Sequence, residues 1–240
     1  MTDQDARLGR VDEVLATTRS VRKGLDFSRE VDPRLIEECV ALALQGPSGS
    51  NLQNAHFVVV RDPETKRALG ELYRRGWAVY EQTPVYAGNL RFEDPGHRAY
   101  HEATTVPEAT WLVDHIHEAP ALVIPCVEYG LGRGTVFAAA GYGREVPVPM
   151  VLHAAVLGAI LPAAEIFRLA ARARGLGTCW TVVHQFFEEE AAALLGIPFD
   201  KVIQAAMFPI AHTSDDQFVR GWSPPLPEVL HWEGWGHEAA

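Results

Sequence analysis

The stretch DPRLIEECVALALQGPSGSNLQNAHFVVV, residues 32–60, runs from a capped helix into a buried strand and anchors the prediction of the fold. Asp32 is a natural helix N-cap, and the Gly-Pro pair at 46–47 ends the helix. The apolar run at 56–60 then predicts a buried strand. The connection between them carries more small side chains, amides and hydroxyls than a tight turn needs, which indicates a further role.

Composition limits the classes of protein to consider. The chain has 240 residues, 48% of them hydrophobic and 22% charged, with a formal net charge of −10. This acidic balance lacks the basic surface of a nucleic-acid binder and disfavours docking on anionic membranes. Residues 146–167 form the longest apolar region, but their three prolines, His153 and Glu165 favour a buried helix over a membrane span. We therefore expect no nucleic-acid or membrane partner.

The cysteines and the first residues indicate a reducing compartment. Cys39, Cys126 and Cys179 lie in apolar stretches at spacings that match no zinc site, so we expect reduced core residues. The polar N-terminal stretch carries no signal-peptide pattern, which makes the cytoplasm the expected location.

Helices and strands are mixed without strict alternation, which favours an α+β fold. No repeat or linker divides the chain, so residues 1–240 are expected to form a single domain. The predicted helices are 10–23, 32–46, 64–80, a long apolar region broken at Pro162 and ending at Gly175, and 188–196. The predicted strands are 56–60, 119–129, 178–184 and 201–211.

Two segments lack the regular spacing of apolar residues that predicts a helix or a strand. Residues 81–110 mix Pro, Gly and charge, which predicts an irregular functional loop or lid, with aromatic side chains that would form a substrate wall. The tail, residues 222–240, contains Trp232 and Trp235, which look exposed and would be covered by a partner subunit.

Few residues suggest chemistry by themselves. Arg19, Ser20 and Arg22 can together hold a phosphate, or the arginines can complement a helix C-terminus or face solvent. The glycine-rich GLGRG (130–134) and GLGT (175–178) lack the context of a nucleotide-binding loop. No hydrolase elbow or metal-ligand pattern is present in the sequence, so no metal is expected.

Several motifs together resemble the FMN-dependent nitroreductase-like flavoproteins. They are TTRSVRK, the capped helix that runs into GPSGSNLQ, the strand HFVVV, AILPAAEIFRLAARARGLGTCW, and the closing PPLPEVLHWEGWG. The resemblance covers nearly the whole chain, with the motifs in the right order. It implies a three-layer α+β sandwich with a central mixed, mostly antiparallel sheet flanked by helices. It also implies an intertwined homodimer with two FMN sites at the subunit interface.

The resemblance assigns cofactor-binding roles by position. The phosphate and ribityl chain would be held by Arg19, Ser20 and Arg22, with Arg220 as a further basic residue several positions before the usual place. The flavin ring would contact a partner-subunit loop of Pro47, Ser48, Gly49, Asn51 and Gln53, and a helix-entry segment of Ile160, Leu161 and Pro162. Asn54 stands where the family loop commonly continues toward an aromatic residue.

The implied function is an NAD(P)H-dependent FMN oxidoreductase that reduces a nitroaromatic or quinone-like small molecule by ping-pong hydride transfer through flavin N5. No side chain is named as catalytic, because the cofactor carries the chemistry. Two alternatives remain open. One is flavin-dependent oxidation, or reductive removal of a substituent, on a specific metabolic intermediate; the other is a non-catalytic flavin-binding protein.

Overall fold

A five-stranded sheet lies in the middle of the fold, with helices on both of its faces. The computed structural model describes residues 11–129 and 150–236. The helices are α1 (11–17), α2 (Pro33–Ala43), α3 (Pro63–Tyr80), α4 (Pro95–Tyr100), α5 (Val106–His115), α6 (Met150–Arg172), α7 (Glu188–Leu195) and α8 (Leu226–Val229). The strands are β1 (Ala55–Val60), β2 (Ala121–Glu128), β3 (Leu176–Thr178), β4 (Val202–Gln204) and β5 (Phe208–His212).

Strand β2 is the centre of the sheet, and its residues 121–127 are all buried. It pairs with β1 along one edge, with Ala55 opposite Val127. Along the other edge it pairs with β5 near its start and with β4 near its end, and β3 continues the sheet beyond β5. These pairings are antiparallel, while a parallel bridge joins Ser20 to Thr178.

Alternate residues of β2 bury opposite faces of the sheet, as the two-residue period of a strand requires. Leu122 and Ile124 pack in a cluster that includes α3 and α5, whereas Val123 packs in a cluster with α2 and α6. Two separate apolar cores therefore lie on either side of one sheet. This confirms the predicted α+β class and its three layers.

The stretch that begins with Asp32 folds as expected. The Asp32 carboxylate accepts a hydrogen bond from the Arg34 amide at 2.9 Å, and α2 ends at Ala43. The predicted strand is β1, which begins one residue earlier than expected. The helices expected at 64–80 and 188–196 are confirmed as α3 and α7, and the strand at 119–129 as β2.

The expectation of an irregular segment at 81–110 is confirmed for residues 81–94, which form turns and one short 3-10 helix, and is wrong from Pro95 onward. Asp94 accepts from the His97 amide and caps α4, a π-helical turn follows at His101–Thr105, and α5 begins at Val106. A π turn holds more residues than an α turn, so it shifts the phase of any apolar stripe across it. A search for a 3.6-residue period therefore misses this helical segment.

Helix α6 is unbroken at Pro162, contrary to prediction. Proline removes one amide donor, which leaves the carbonyl four residues earlier without its usual partner. That carbonyl belongs to Gly158, an exposed residue, where water can satisfy it. The predicted helix-entry segment of Ile160, Leu161 and Pro162 therefore lies inside α6 and not at a helix start.

Two predicted strands also differ from the structure. The run at 178–184 ends as a strand at Thr178, keeps one isolated antiparallel bridge between Thr181 and Met207, and forms a 3-10 turn at Val183–Phe187. The run at 201–211 divides into β4 and β5. Gln204 lies opposite Cys126 and Phe208 opposite Val123, so this side of the ladder holds one extra residue, as in a β-bulge.

By length and composition, Ala154–Arg172 in α6 is apolar enough to cross a membrane, but 44% of its most apolar window is buried inside the chain. Its Phe167 and Ala164 pack in the core on one face of the sheet. Core helices pass the same test, and this packing supports the expected buried helix.

Candidate functional site

The basic cluster at the end of α1 is fixed to the sheet through its backbone. The Val21 amide donates to the Thr178 carbonyl at 2.9 Å, and the Trp180 amide donates to the Ser20 hydroxyl at 3.2 Å. A hydroxyl that accepts one bond still has its own proton to donate. Ser20 is therefore held in place with a free donor between Arg19 and Arg22.

Both guanidiniums of this cluster converge on one carboxylate. Arg19 Nη2 lies 3.9 Å from Glu108 Oε1, and Arg22 Nη1 lies 3.7 Å from Glu108 Oε2. The exposed fractions of the Arg19, Arg22 and Glu108 side chains are 19%, 18% and 23%, so all three charges are largely shielded from water. The ring of Tyr100 lies 5.9 Å from Arg19 Cζ. The geometry suits an anion with two acceptor atoms.

Sequence reasoning missed Glu108 and Arg168. Glu108 lies far along the chain from the arginines, in the segment expected to be irregular. Arg168 is buried, donates to Glu165 Oε2 at 2.7 Å and to Thr178 Oγ1 at 3.3 Å, and lies 6.0 Å from the Trp180 ring. It thus supports the two residues to which the Ser20 segment is bonded. Burial of a charged side chain could be recognised only in the fold.

The predicted loop is an exposed, internally bonded turn. The Ser48 hydroxyl accepts from the Gln53 amide at 3.2 Å, and Asn51 Oδ1 accepts from Gln53 Nε2 at 2.7 Å. Ser50, Asn51 and Gln53 have φ of 51°, 53° and 50°, a left-handed conformation that asparagine adopts readily but that is unfavourable for serine and glutamine. Such strain is often found at binding sites.

The loop lies against α6. A Cβ on Gly46 would sit 3.1 Å from the Ala163 amide nitrogen, and one on Gly49 would sit 3.7 Å from the Ala155 carbonyl oxygen. Only a small residue permits the first approach. In the helix beneath, Ile160 is buried and Leu161 exposed, while Pro162 is partly exposed. The structure thus brings the predicted loop and the predicted α6 segment together.

The arginine cluster and the loop are not bonded to each other in the described part of the chain. No hydrogen bond or ion pair joins Arg19, Ser20 or Arg22 to residues 47–53 in the part of the chain that the structure describes. The cluster lies beside β3 and α5, and the loop lies on α6.

Arg220 is exposed and lies in the segment that leads to the tail. Nearby, Trp222 packs on α4 of the same chain: its indole donates to Asp94 Oδ1 at 3.1 Å, and its ring stacks on His97 at 3.8 Å. Leu226, Trp232 and Trp235 beyond it are exposed. The structure thus ties the start of the tail to its own chain.

A cleft of about 500 Å³ lies in the segment predicted as a substrate wall. Its lining includes Arg91, Phe92, Arg98 and Glu102. His101 also lines it, and this residue is buried with no hydrogen-bond partner for Nε2 in the described chain. The volume lies within the range of small-molecule sites.

Other chemistries lack support among the described residues. No group of three or more His, Cys, Asp or Glu is placed to hold a metal ion in the described ranges. All three cysteines are free and buried. Burial raises the pKa of Cys39 to about 11 and that of Cys126 to about 12, which makes these two thiols poor nucleophiles. The GLGRG segment, 130–134, lies outside the described residues.

Comparisons with solved structures show the fold. A BluB-like flavoprotein from Clostridium difficile 630 superposes with a TM-score of 0.65 at 18% identity, covering 93% of this chain and 99% of the other. The FMN-dependent nitroreductase NfnB from Mycobacterium smegmatis, in complex with NADPH, has a TM-score of 0.61 at 17% identity and covers 95% and 100%. Iodotyrosine deiodinase bound to FMN and 3-iodo-L-tyrosine has a TM-score of 0.60 at 17% identity, covering 93% and 98%.

Sequence comparison assigns the family. An NADH dehydrogenase/NAD(P)H nitroreductase from Methanothermobacter thermautotrophicus is 24% identical over 235 residues, which are 96% of this chain and 92% of the relative. The model of the "Nitroreductase family" matches residues 15–212. That match spans the arginine cluster, the loop and all five strands, and the chain belongs to the Nitroreductase family.

Proposed function

We propose that the protein is an FMN-dependent oxidoreductase that uses NADH or NADPH to reduce a small electrophilic acceptor of the nitroaromatic or quinone class. The observation that carries the proposal is the pair of shielded guanidiniums, Arg19 and Arg22, converging on one anionic group beside the Ser20 hydroxyl. The family match and the FMN and NADPH named for its structural neighbours support it.

The residues present fit the phosphate end of FMN. Glu108 stands in for an anion: its two oxygens occupy the place between the arginines where phosphate oxygens would lie. Arginine forks bind phosphate through paired, charge-assisted hydrogen bonds, and a serine hydroxyl can add a third donor. Arg19, Ser20 and Arg22 would therefore hold the phosphate. Arg220, exposed on a neighbouring segment, stays a prediction.

The loop and the α6 segment fit the ring end of FMN. Pro47, Ser48, Gly49, Asn51 and Gln53 offer small side chains with amide and hydroxyl groups, which allow a flat heterocycle to approach and hydrogen-bond along its edge. Ile160, Leu161 and Pro162 would form the apolar support beside them. When bound, FMN supplies the centre that accepts and donates hydride, and the protein binds, orients and shields it.

The proposal includes a homodimer. We place the flavin between two subunits, with the arginines of one chain and the loop of the other, since the two groups lie on different elements and are not bonded to each other within one chain. Exposed apolar side chains on α6 and the tail, such as Leu157, Leu161 and Trp232, are available for this contact. Free, buried cysteines are in keeping with the cytoplasm as the proposed location.

An absorption spectrum of the purified protein tests the proposal directly. We expect flavin bands that persist through desalting and bleach when NADH or NADPH is added without oxygen. The more effective nucleotide identifies the preferred donor. A protein that stays colourless after incubation with FMN and desalting would refute the proposed cofactor.

A second function is favoured by the cleft at α4 and α5. Its charged lining and the His101 Nε2, which has no hydrogen-bond partner among the described residues, suit a polar, specific ligand better than a generic quinone. This favours a flavin-dependent oxidation or reductive removal of a substituent on one metabolic intermediate. Bound flavin that NAD(P)H reduces, without turnover of nitrofurazone or menadione, would support it. Bound flavin that NAD(P)H fails to reduce would indicate the non-catalytic alternative.

A further inference from the structure

Glu108 occupies the position that the proposed function gives to the flavin phosphate. We infer that Glu108 competes with this phosphate for Arg19 and Arg22 and thereby lowers the affinity of the protein for phosphorylated flavins. The inference rests on the proposed function, since it concerns the same two guanidiniums. In this chain the Glu108 carboxylate already lies near both arginines, so an incoming phosphate must displace it or bind beside it.

The backbone of Glu108 is firmly placed while its carboxylate is loosely bound. It lies in the first turn of α5, whose Leu112 is fully buried in the core, so the helix cannot easily move away. Its oxygens are 3.9 and 3.7 Å from the arginine nitrogens, longer than the 2.7–2.9 Å typical of charge-assisted hydrogen bonds. A phosphate that makes direct bonds could therefore replace it.

Competition follows from the charges. In the free chain, one negative charge partly neutralises two positive ones within a shielded site. A phosphate brings up to two further negative charges to the same guanidiniums. Glu108 must then rotate toward solvent or remain beside the phosphate, where the two anions repel each other. Either outcome weakens phosphate binding relative to a chain with a neutral residue at this position.

The effect should depend on the phosphate alone. Riboflavin has the same ring and ribityl chain as FMN but no phosphate, so its binding should be indifferent to the charge at position 108. The ratio of riboflavin to FMN dissociation constants therefore isolates the contribution of Glu108. Salt should reduce that contribution, because the side chains retain some exposure to solvent.

The experiment measures FMN and riboflavin dissociation constants for flavin-free protein at low and high salt. Glu108→Gln keeps the shape and removes the charge. Glu118→Gln removes the same charge from an exposed residue in the turn after α5, and serves as the matched control. Glu108→Asp keeps the charge on a shorter side chain and provides a second variant with minimal disturbance.

We expect Glu108→Gln to bind FMN about three- to tenfold more tightly at low salt, with riboflavin unchanged. The FMN dissociation constant of Glu118→Gln should equal that of the parent protein. The constant of Glu108→Asp should lie between those of the parent protein and Glu108→Gln. Unchanged or weaker FMN binding by Glu108→Gln would overturn the inference and assign Glu108 a positioning role. Equal tightening of both flavins would overturn it as well. If the parent protein binds neither flavin, it is the proposed function that fails.

Discussion

Asn54 shows how one side chain can complete a sheet. Its side-chain Nδ2 donates to the Glu128 backbone carbonyl at 2.8 Å, and its backbone carbonyl accepts from the Glu128 backbone amide at 2.9 Å. These bonds extend the β1–β2 ladder by one position beyond Ala55. The residue thus fixes the end of the strand from which the loop departs, and its divergence from the usual family loop has a structural reason.

At the same scale, Arg22 tests the phosphate site. Replacing Arg22 by alanine removes one charge-assisted contact, and such contacts contribute about 1.5–3 kcal/mol when shielded. We expect the FMN dissociation constant of Arg22→Ala to rise roughly 10- to 100-fold, measured by fluorescence quenching. The neighbouring Lys23 is exposed, so Lys23→Ala removes the same charge outside the site and should have a much smaller effect. Equal losses in both variants would indicate only a general electrostatic attraction.

His184 predicts an acid sensitivity of folding. The side chain is fully buried, neither ring nitrogen has a hydrogen-bond partner among the described residues, and burial lowers its pKa from 6.5 to about 4. The nearby Gln204 side chain opposes part of this shift. The unfolded chain therefore binds a proton at higher pH than the folded chain. Stability from this residue is present above pH 6.5 and is lost as the pH falls toward 4.

The size of that loss follows from the shift in pKa. It amounts to roughly 3 kcal/mol for the histidine alone. Urea unfolding of His184→Leu should show a correspondingly weaker decline in stability between pH 6.5 and 4. The exposed His56 provides the control, since His56→Gln should retain the steep decline of the parent protein. Parallel pH profiles for the parent and His184→Leu would contradict the assignment.

At the scale of elements, the sequence predicts the helices and strands whose signals are local. It misses the elements whose ends depend on contacts with residues far away in the chain. The N-cap Asp32 of α2 and the glycine that ends α7 are signals within the local sequence, and the sequence predicts both helices correctly. The run at 178–184 has strand-like composition, yet the strand ends at Thr178, and Thr181 is held by a bridge to Met207 and by a 3.0 Å hydrogen bond with the Tyr73 hydroxyl. That hydrogen bond joins residues that are far apart in the sequence, so no local sequence pattern predicts it.

The contact between α3 and the turn at Val183–Phe187 yields a prediction about packing. A Cβ on Gly76 would lie 2.3 Å from the Val183 carbonyl oxygen, so any side chain forces the two elements apart. Gly76→Ala should lower the free energy of unfolding by about 1–3 kcal/mol in urea titrations. Gly158 is also inside a helix but has open space around its Cβ position, and Gly158→Ala should raise stability by about 0.5–1 kcal/mol. Similar changes in both variants would show that helix propensity, not the close approach, decides the outcome.

At the scale of the whole molecule, the two halves of the proposed site were predicted by position in a family pattern. Composition and periodicity alone left the arginine cluster open to other interpretations. The structure adds that the cluster lies beside β3 and α5, while the loop lies on α6. What the sequence could not supply was Glu108 between the arginines, because it approaches them only through the packing of α5 on the core.

If the arginines and the loop of one flavin site come from different subunits, two defective chains should restore one site when they form a mixed dimer. If each flavin lies between the arginines of one subunit and the loop of the other, a mixed dimer of two defective chains contains one intact site and one doubly altered site. We propose Arg22→Ala for one chain. For the other, Asn51→Gly removes the amide and suits the left-handed φ of 53° at that position.

Differently tagged chains, unfolded together, refolded and purified through both tags, provide the mixed dimer. We expect the homodimers of Arg22→Ala and of Asn51→Gly to bind FMN weakly. The mixed dimer should bind FMN tightly at one of its two sites, as measured by titration. A site built within one chain predicts the opposite, since every site in the mixed dimer would then carry one defect. The number of tight sites per mixed dimer thus distinguishes a shared interface from two independent sites, even before the acceptor is known.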